Sequence, residues 1–273
     1  MQDTWKALEA DPESICQQLP QPLMALADGT VPALVLRGAY SVADCTDLMA
    51  RFTERGYFDQ ETVGVESQLS GGPYLDLGTS LGRVGADRDQ FFAHAERTQA
   101  LFSHLFEGLA DPVQTIYESL ARLAAGKAVL TAQEDGRPYG PAIFRIYHAE
   151  EGHKPHFDSV RRRSKTAYAI SRFTHQFAGI LCLQKGTIGG EPLLYCAKGE
   201  GEVAEVVERG EFASYAEEHD LPRAQIELNA GDLYFFYTEN IHEVPQVVRE
   251  STRVVLAVFF GMSPELDEIF VWS

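Results

Sequence analysis

His156-Phe157-Asp158, read with the later His242 and with Ser251-Thr252-Arg253-Val254-Val255-Leu256-Ala257-Val258-Phe259-Phe260, decides how this chain folds and works. Side chains at i and i+2 of a β-strand point to the same face, so one strand is expected to present His156 and Asp158 to a single ion. His242 is the best-placed third ligand. Two imidazoles and one carboxylate cover one face of a metal and leave the opposite face open. Arg253 follows His242 by eleven residues, at the start of a run apolar enough to be a buried strand. A cation there is costly unless an anion meets it, and a guanidinium meets a carboxylate with two parallel hydrogen bonds. Arg253 is therefore expected to hold a carboxylate-bearing ligand. The alternative is a structural ion pair with a buried acid.

The segments around these residues are informative in the same way. Ala230-Gly231-Asp232-Leu233-Tyr234-Phe235-Phe236 runs up to His242, His242-Glu243-Val244-Pro245-Gln246-Val247 leads away from it, and Gly189-Gly190-Glu191-Pro192-Leu193 is a turn between apolar runs. His-x-Asp, a distal His and an Arg shortly beyond it, with these flanks, resemble the Fe(II)/2-oxoglutarate-dependent oxygenases. The resemblance covers roughly residues 140–262. His-x-Asp alone is common by chance; the ordered set is specific.

The resemblance implies a mainly β fold with α elements, a double-stranded β-helix (jelly-roll, cupin-like) core buttressed by N-terminal helices. It implies Fe(II) on His156, Asp158 and His242, with 2-oxoglutarate and O2 as cosubstrates and Arg253 on the far carboxylate of 2-oxoglutarate. The activity implied is hydroxylation of an unactivated C–H bond, with release of succinate and CO2. Related iron halogenases carry Gly or Ala at the Asp158 position, which leaves room for chloride, so an Asp argues for hydroxylation. The layout is similar to a small-molecule branch that includes N-substituted L-amino acid hydroxylases and aliphatic halogenases, which points to an amino acid or N-acyl amino acid as substrate. The competing readings are a halogenase or desaturase of the same fold, and a cupin-like protein that holds a metal, zinc included, without turnover.

Further polar residues are placed by pattern. Arg145 and Tyr147 flank Ile146 and share a strand face, so one of them is expected to reach the cosubstrate or the substrate. The basic group Arg161-Arg162-Arg163-Ser164-Lys165 follows the His-x-Asp segment closely, and Arg161 and Arg163 are expected at the substrate mouth, against the alternative of a solvated charge run. Arg83 is a second candidate anion clamp, and Phe157 a candidate for the apolar wall. His153 as an alternative ligand is disfavoured, because its direction is not tied to that of Asp158.

At 273 residues and 45% apolar composition, the chain is long enough to bury one full core, and a single domain over 1–273 is expected. The net charge of −17 disfavours nucleic acid, whose phosphates call for a basic face. No apolar run approaches the ~20 residues of a membrane span. The first residues lack the basic and apolar regions of a signal peptide, and Cys16, Cys45, Cys182 and Cys196 are widely spaced. A cytoplasmic protein with reduced thiols is the expectation. So are a carboxylate-bearing small-molecule substrate and, on base rates, a homodimer.

Along the chain, residues 1–135 are expected to form a mainly helical layer. Ser41 is placed as the N-cap of a helix over Val42–Gly56, and two helices within Asp89–Ala125 are broken near Asp111-Pro112. Ser70–Thr79 has the composition of a loop. Strands are expected at Ile143–His148, Phe177–Gln184, Leu193–Cys196, Gln225–Leu228, Leu233–Tyr237 and Val254–Phe260, with a short helix around Glu211–Glu218.

Overall fold

The computed structural model describes residues 5–59, 61–63, 74–162, 168–248 and 251–273. Its strands are β1 (Leu8–Glu9), β2 (Ala33–Leu36), β3 (Leu75–Gly78), β4 (Ala128–Thr131), β5 (Gln133–Glu134), β6 (Arg137–Pro138), β7 (Ile143–Tyr147), β8 (His153–His156), β9 (His175–Gln184), β10 (Leu193–Lys198), β11 (Arg223–Gln225), β12 (Leu233–Tyr237), β13 (Asn240–Val244), β14 (Arg253–Met262) and β15 (Glu268–Trp272). The larger sheet runs β1-β2-β12-β9-β14-β15-β4, with β7 joined to β14 and β3 to β7; the smaller runs β11-β10-β13-β8. β5 and β6 form a separate hairpin.

Alternation along the larger sheet explains its sequence. Phe177, Leu181 and Leu183 of β9, Leu233 and Phe235 of β12, and Val254, Leu256, Val258 and Phe260 of β14 pack outward against helices. The intervening Ala178, Ile180, Cys182, Tyr234, Phe236, Val255 and Ala257 pack inward against Leu194 and Ala224 of the smaller sheet and against Ile226 just beyond it. Both faces are covered, so the strands are near-continuous apolar runs rather than alternating ones. The same parity turns Arg253 inward, on the side of Val255 and Ala257.

The outer face of the larger sheet is covered by α1 (Pro12–Gln18), α2 (Pro22–Ala27) and α3 (Val42–Glu54); two more elements, α4 (Leu81–Val84) and α5 (Arg88–Leu105), lead to α6 (Pro112–Leu123). Ser41 caps α3 through the backbone N–H groups of Ala43 and Asp44, and Asp111 caps α6, where Pro112 occupies the first turn. Phe52 from α3 and Phe102 from α5 both pack on Phe144 of β7. The smaller sheet has its own cover, α7 (Gly201–Glu208) and α8 (Phe212–Glu218), packed on Tyr195 and Ile241.

Several expectations need correction. The N-terminal stretch, expected to be mainly helical, also contributes strands: β1, β2, β3 and β4 all enter the larger sheet. Of the segment expected as a loop, Leu75–Gly78 is a strand paired with β7, while Ser70–Pro73 lies outside the described residues. The strand expected at Gln225–Leu228 is Arg223–Gln225. One helix was expected in the insertion and two are present; β15 was not anticipated. For β2, β3 and β4 the cause is shared: these stretches are short, and they pair with β12, β7 and β15, far away in the chain, where local pattern carries no information.

Candidate metal centre and its two cavities

The three expected ligands converge. His156 and His242 are directly opposite each other where β8 pairs with β13. His156 Nδ1 donates to the Lys154 carbonyl at 2.8 Å, and His242 Nδ1 to the Asn240 carbonyl at 2.9 Å. With Nδ1 carrying the proton, the Nε2 lone pair of each ring is free for a metal. These atoms lie 3.7 Å and 3.8 Å from Asp158 Oδ2. One ligand atom from each residue falls within 4.8 Å of the others. Burial, then the neighbouring His242, press the His156 pKa well below its usual value, so the ring is neutral and able to donate.

Asp158 is not on the strand that was expected to present it. β8 ends at His156, and Asp158 lies two residues beyond. The alternation nevertheless continues past the strand end: His156 and Asp158 face inward, and Phe157 packs with the cluster under α7 and α8. Phe157, expected at the substrate wall, therefore lines neither cavity, because the residue between two inward ligands must face outward. The Asp158 backbone is held by the β12–β13 turn, through its N–H to the Thr238 carbonyl (2.8 Å) and the Thr238 hydroxyl to its own carbonyl (2.9 Å).

Two cavities meet at the ligands. A narrow inner one is lined by the triad, Arg145, Tyr147, Tyr234 and Arg253. Arg253 is 5% exposed and lies 5.2 Å over the ring of its cross-strand partner Tyr147. Among the described residues no carboxylate is in ion-pair range of it. Its stem runs past Gly190, whose positive φ (+81°) needs a glycine and where an added Cβ would approach Arg253 Cδ to 3.0 Å. Burial pushes the Tyr147 and Tyr234 phenols up, so both remain hydroxyl donors. The donor set suits a divalent transition metal, and an unpartnered buried cation beside two hydroxyls suits a carboxylate ligand.

The outer cavity, about 590 Å³, opens on the other side of Asp158 and is walled by Tyr74, Tyr168, Phe259 and Trp272 together with Arg83, Arg145 and Arg162. Arg145 borders both cavities. On its strand it faces Asp76 of β3. Asp76 bonds Arg83 at 2.9 Å but stands 4.0 Å from Arg145 Nε, and among the described residues neither Asp76 Oδ1 nor Arg145 Nε has a hydrogen-bond partner. Burial pushes the Asp76 carboxyl up, opposed by Arg145 and then Arg83.

Arg83 thus borders the cavity, but as the partner of Asp76. From the basic group, Arg162 lines the cavity, whereas Arg161 is exposed and directed to the Thr174 carbonyl, and Arg163 lies outside the described residues. His153 stacks on His156 with ring centroids 3.6 Å apart and is not among the converging ligand atoms. The residues missed from sequence are Asp76, Tyr74 and Trp272. The polar Asp76 between Leu75 and Leu77 was a signal of a strand with one inward polar position.

The family model described as carrier-protein-independent halogenase WelO5 matches residues 5–273, and the chain belongs to that family. Its fold is the jelly-roll of the 2-oxoglutarate-dependent oxygenases. An N-substituted L-amino acid dioxygenase from Burkholderia ambifaria AMMD superposes with a TM-score of 0.58 at 17% identity, over 92% of this chain and 90% of the other. HygX from Streptomyces hygroscopicus, solved with nickel and 2-oxoglutarate, gives 0.51 at 11% identity, over 90% and 88%. A search of curated proteins returned no match. No described helix is long and apolar enough to cross a membrane.

Proposed function

We propose that this chain is a single-domain Fe(II)- and 2-oxoglutarate-dependent dioxygenase that hydroxylates an unactivated C–H bond of a small molecule carrying a carboxylate, of the amino acid or N-acyl amino acid class. The observation that carries the reading is Asp158. Its carboxylate completes a face of two imidazoles and one carboxylate within a chain whose family is described by halogenation.

His156, Asp158 and His242 would hold the iron, and Arg253 with Tyr147 and Tyr234 would take the carboxylate of 2-oxoglutarate furthest from it. Bound iron, with 2-oxoglutarate and O2, supplies an oxidant strong enough to remove a hydrogen atom from carbon, and the protein contributes position and a dry site. The chain's own residues orient the parts. The two Nδ1–H bonds fix the orientation of both imidazoles and leave each Nε2 facing the site. The inward alternation of β7 and β14 places cations where a dianion would lie. The aromatic wall of the outer cavity excludes water beside Asp158. Arg83, ion-paired with Asp76, and Arg162, bonded to the Gly199 carbonyl, border the space that a substrate carboxylate would enter.

Halogenation is the second reading, and the family description favours it. Asp158 counts against it, since the carboxylate occupies the place that a halide would need. Anaerobic addition of Fe(II) and 2-oxoglutarate to the apoprotein tests the shared part, with a weak visible charge-transfer band expected for a chelated 2-oxo acid. No band, with zinc retained tightly, would leave a metal-binding protein without turnover. With the band present, product analysis with and without chloride separates the two reactions.

A further inference from the structure

Asp158 has no strand of its own, so its position depends on what surrounds Phe157, the residue it shares with His156. Three segments meet there. The β12–β13 turn holds Asp158 through Thr238, accepts the Ser159 hydroxyl on Glu239 Oε1 at 3.2 Å, and accepts the Gly199 N–H on the Glu239 carbonyl at 2.8 Å. Gly199 follows the end of β10 and leads into α7. Arg162 closes the third side: its guanidinium carbon lies 5.2 Å over the Phe157 ring, and it bonds the Gly199 carbonyl, with Glu200 at 3.5 Å.

The contact between Gly199 and Phe157 has almost no slack. Gly199 is not in the left-handed region, so its backbone does not require a glycine; the space does. A Cβ built there would overlap Cγ and Cδ1 of the Phe157 ring and come within 2.7 Å of Cδ2. Cγ is one bond from the Phe157 Cβ, at the root of the side chain rather than its far end. The ring cannot swing clear by a small rotation, because it is held between Gly199 and Arg162 and packs among Val206, Phe212 and Ile241. Pressure on the ring therefore passes to the Phe157 backbone, whose two peptide bonds carry His156 on one side and Asp158 on the other.

We propose that Gly199 is a positioning residue for the metal centre: its bare Cα seats the Phe157 ring, and that seat sets the spacing of His156 and Asp158. The inference rests on the reading of His156, Asp158 and His242 as metal ligands. Arg162 also lines the outer cavity, so the seat extends from the metal to the space assigned to the substrate. Outer partners of metal ligands typically change affinity by about 10–100-fold when altered, and a change of that size is expected here.

The test is Co(II) uptake by the full-length apoprotein, measured by competition with a chelator and by the visible ligand-field spectrum, with no cosubstrate present. Gly199→Ala is expected to bind Co(II) about 10–100-fold more weakly with an altered spectrum, while its circular dichroism stays that of the wild type. Phe157→Ala is expected to weaken binding by about tenfold or more. In the Gly199→Ala/Phe157→Ala protein the added methyl should cost nothing further, so that it binds as Phe157→Ala does. Wild-type affinity and spectrum in folded Gly199→Ala would overturn the proposal, as would full additivity in the double variant. If Gly199→Ala does not fold, Phe157→Ala decides, and wild-type affinity there overturns it. A wild-type chain that takes up no cobalt overturns the metal reading itself, an outcome distinct from normal uptake with unaltered variants.

Discussion

Arg253→Met removes a buried cation while keeping an apolar stem of similar reach, and its consequences differ sharply between the two roles open to Arg253. Arg253 is 5% exposed, and its guanidinium rests on the Tyr147 ring and meets no carboxylate among the described residues. Losing one partner of a buried, hydrogen-bonded charge pair costs about 2–5 kcal/mol. If 2-oxoglutarate is that partner, its Kd should rise by between about 30-fold and a few thousand-fold. At a 2-oxoglutarate concentration 100 times the wild-type Kd, the metal-loaded wild type gains about 2.7 kcal/mol, which for a chain of this size is roughly 5–10 °C in melting temperature. A variant weakened about 30-fold would gain no more than about 0.9 kcal/mol, or roughly 2–4 °C. Without ligand the same substitution should leave the melting temperature unchanged or raise it, because an unpaired buried charge is a cost to the empty protein. The assay is thermal melting under anaerobic conditions with and without 2-oxoglutarate. Arg253→Met that melts well below the wild type when empty, yet keeps the full ligand-dependent gain, would refute the cosubstrate role and leave a structural ion pair. Arg253→Lys should fall between, since it keeps the charge but not the fork.

Three further outcomes are expected. His156→Ala, Asp158→Ala and His242→Ala should each abolish succinate release and lower iron content with little change in circular dichroism; near-normal turnover in any of them removes that residue from the ligand set. Asp158→Gly should open the metal to halide, seen as a chloride-dependent shift of the visible band of the anaerobic Fe(II)/2-oxoglutarate complex, and a band indifferent to chloride counts against the account of Asp158 given above. Asp76→Ala leaves Arg83 and Arg145 unpaired around a buried site, so urea unfolding should show a loss of about 3–5 kcal/mol; a loss below ~1 kcal/mol would mean that solvent already screens the cluster.

The grouping of the candidate site was legible in the sequence because it depends on residue type and on parity. His156 and Asp158 are two apart, Arg253 is in step with Val255 and Ala257, and Arg145 is in step with Tyr147, so each pair shares a face wherever the strands end up. The apolar runs at 177–184, 233–237 and 254–260 identified the central strands for a similar reason: a strand covered on both sides must be apolar throughout. Tertiary structure alone decided the rest. Nothing local shows that Leu75–Gly78 pairs with β7, and only that pairing sets Asp76 against Arg145 and ties Arg83 to Asp76 instead of leaving it free in the cavity. Nothing local shows that β8 stops at His156, that Thr238 in the turn before β13 holds the Asp158 backbone, or that Gly199 must be bare because Phe157 lies against it. Side-chain direction follows from a two-residue period within one segment; register, bracing and close approach are set between segments remote in the chain, where only the packed molecule brings the partners together.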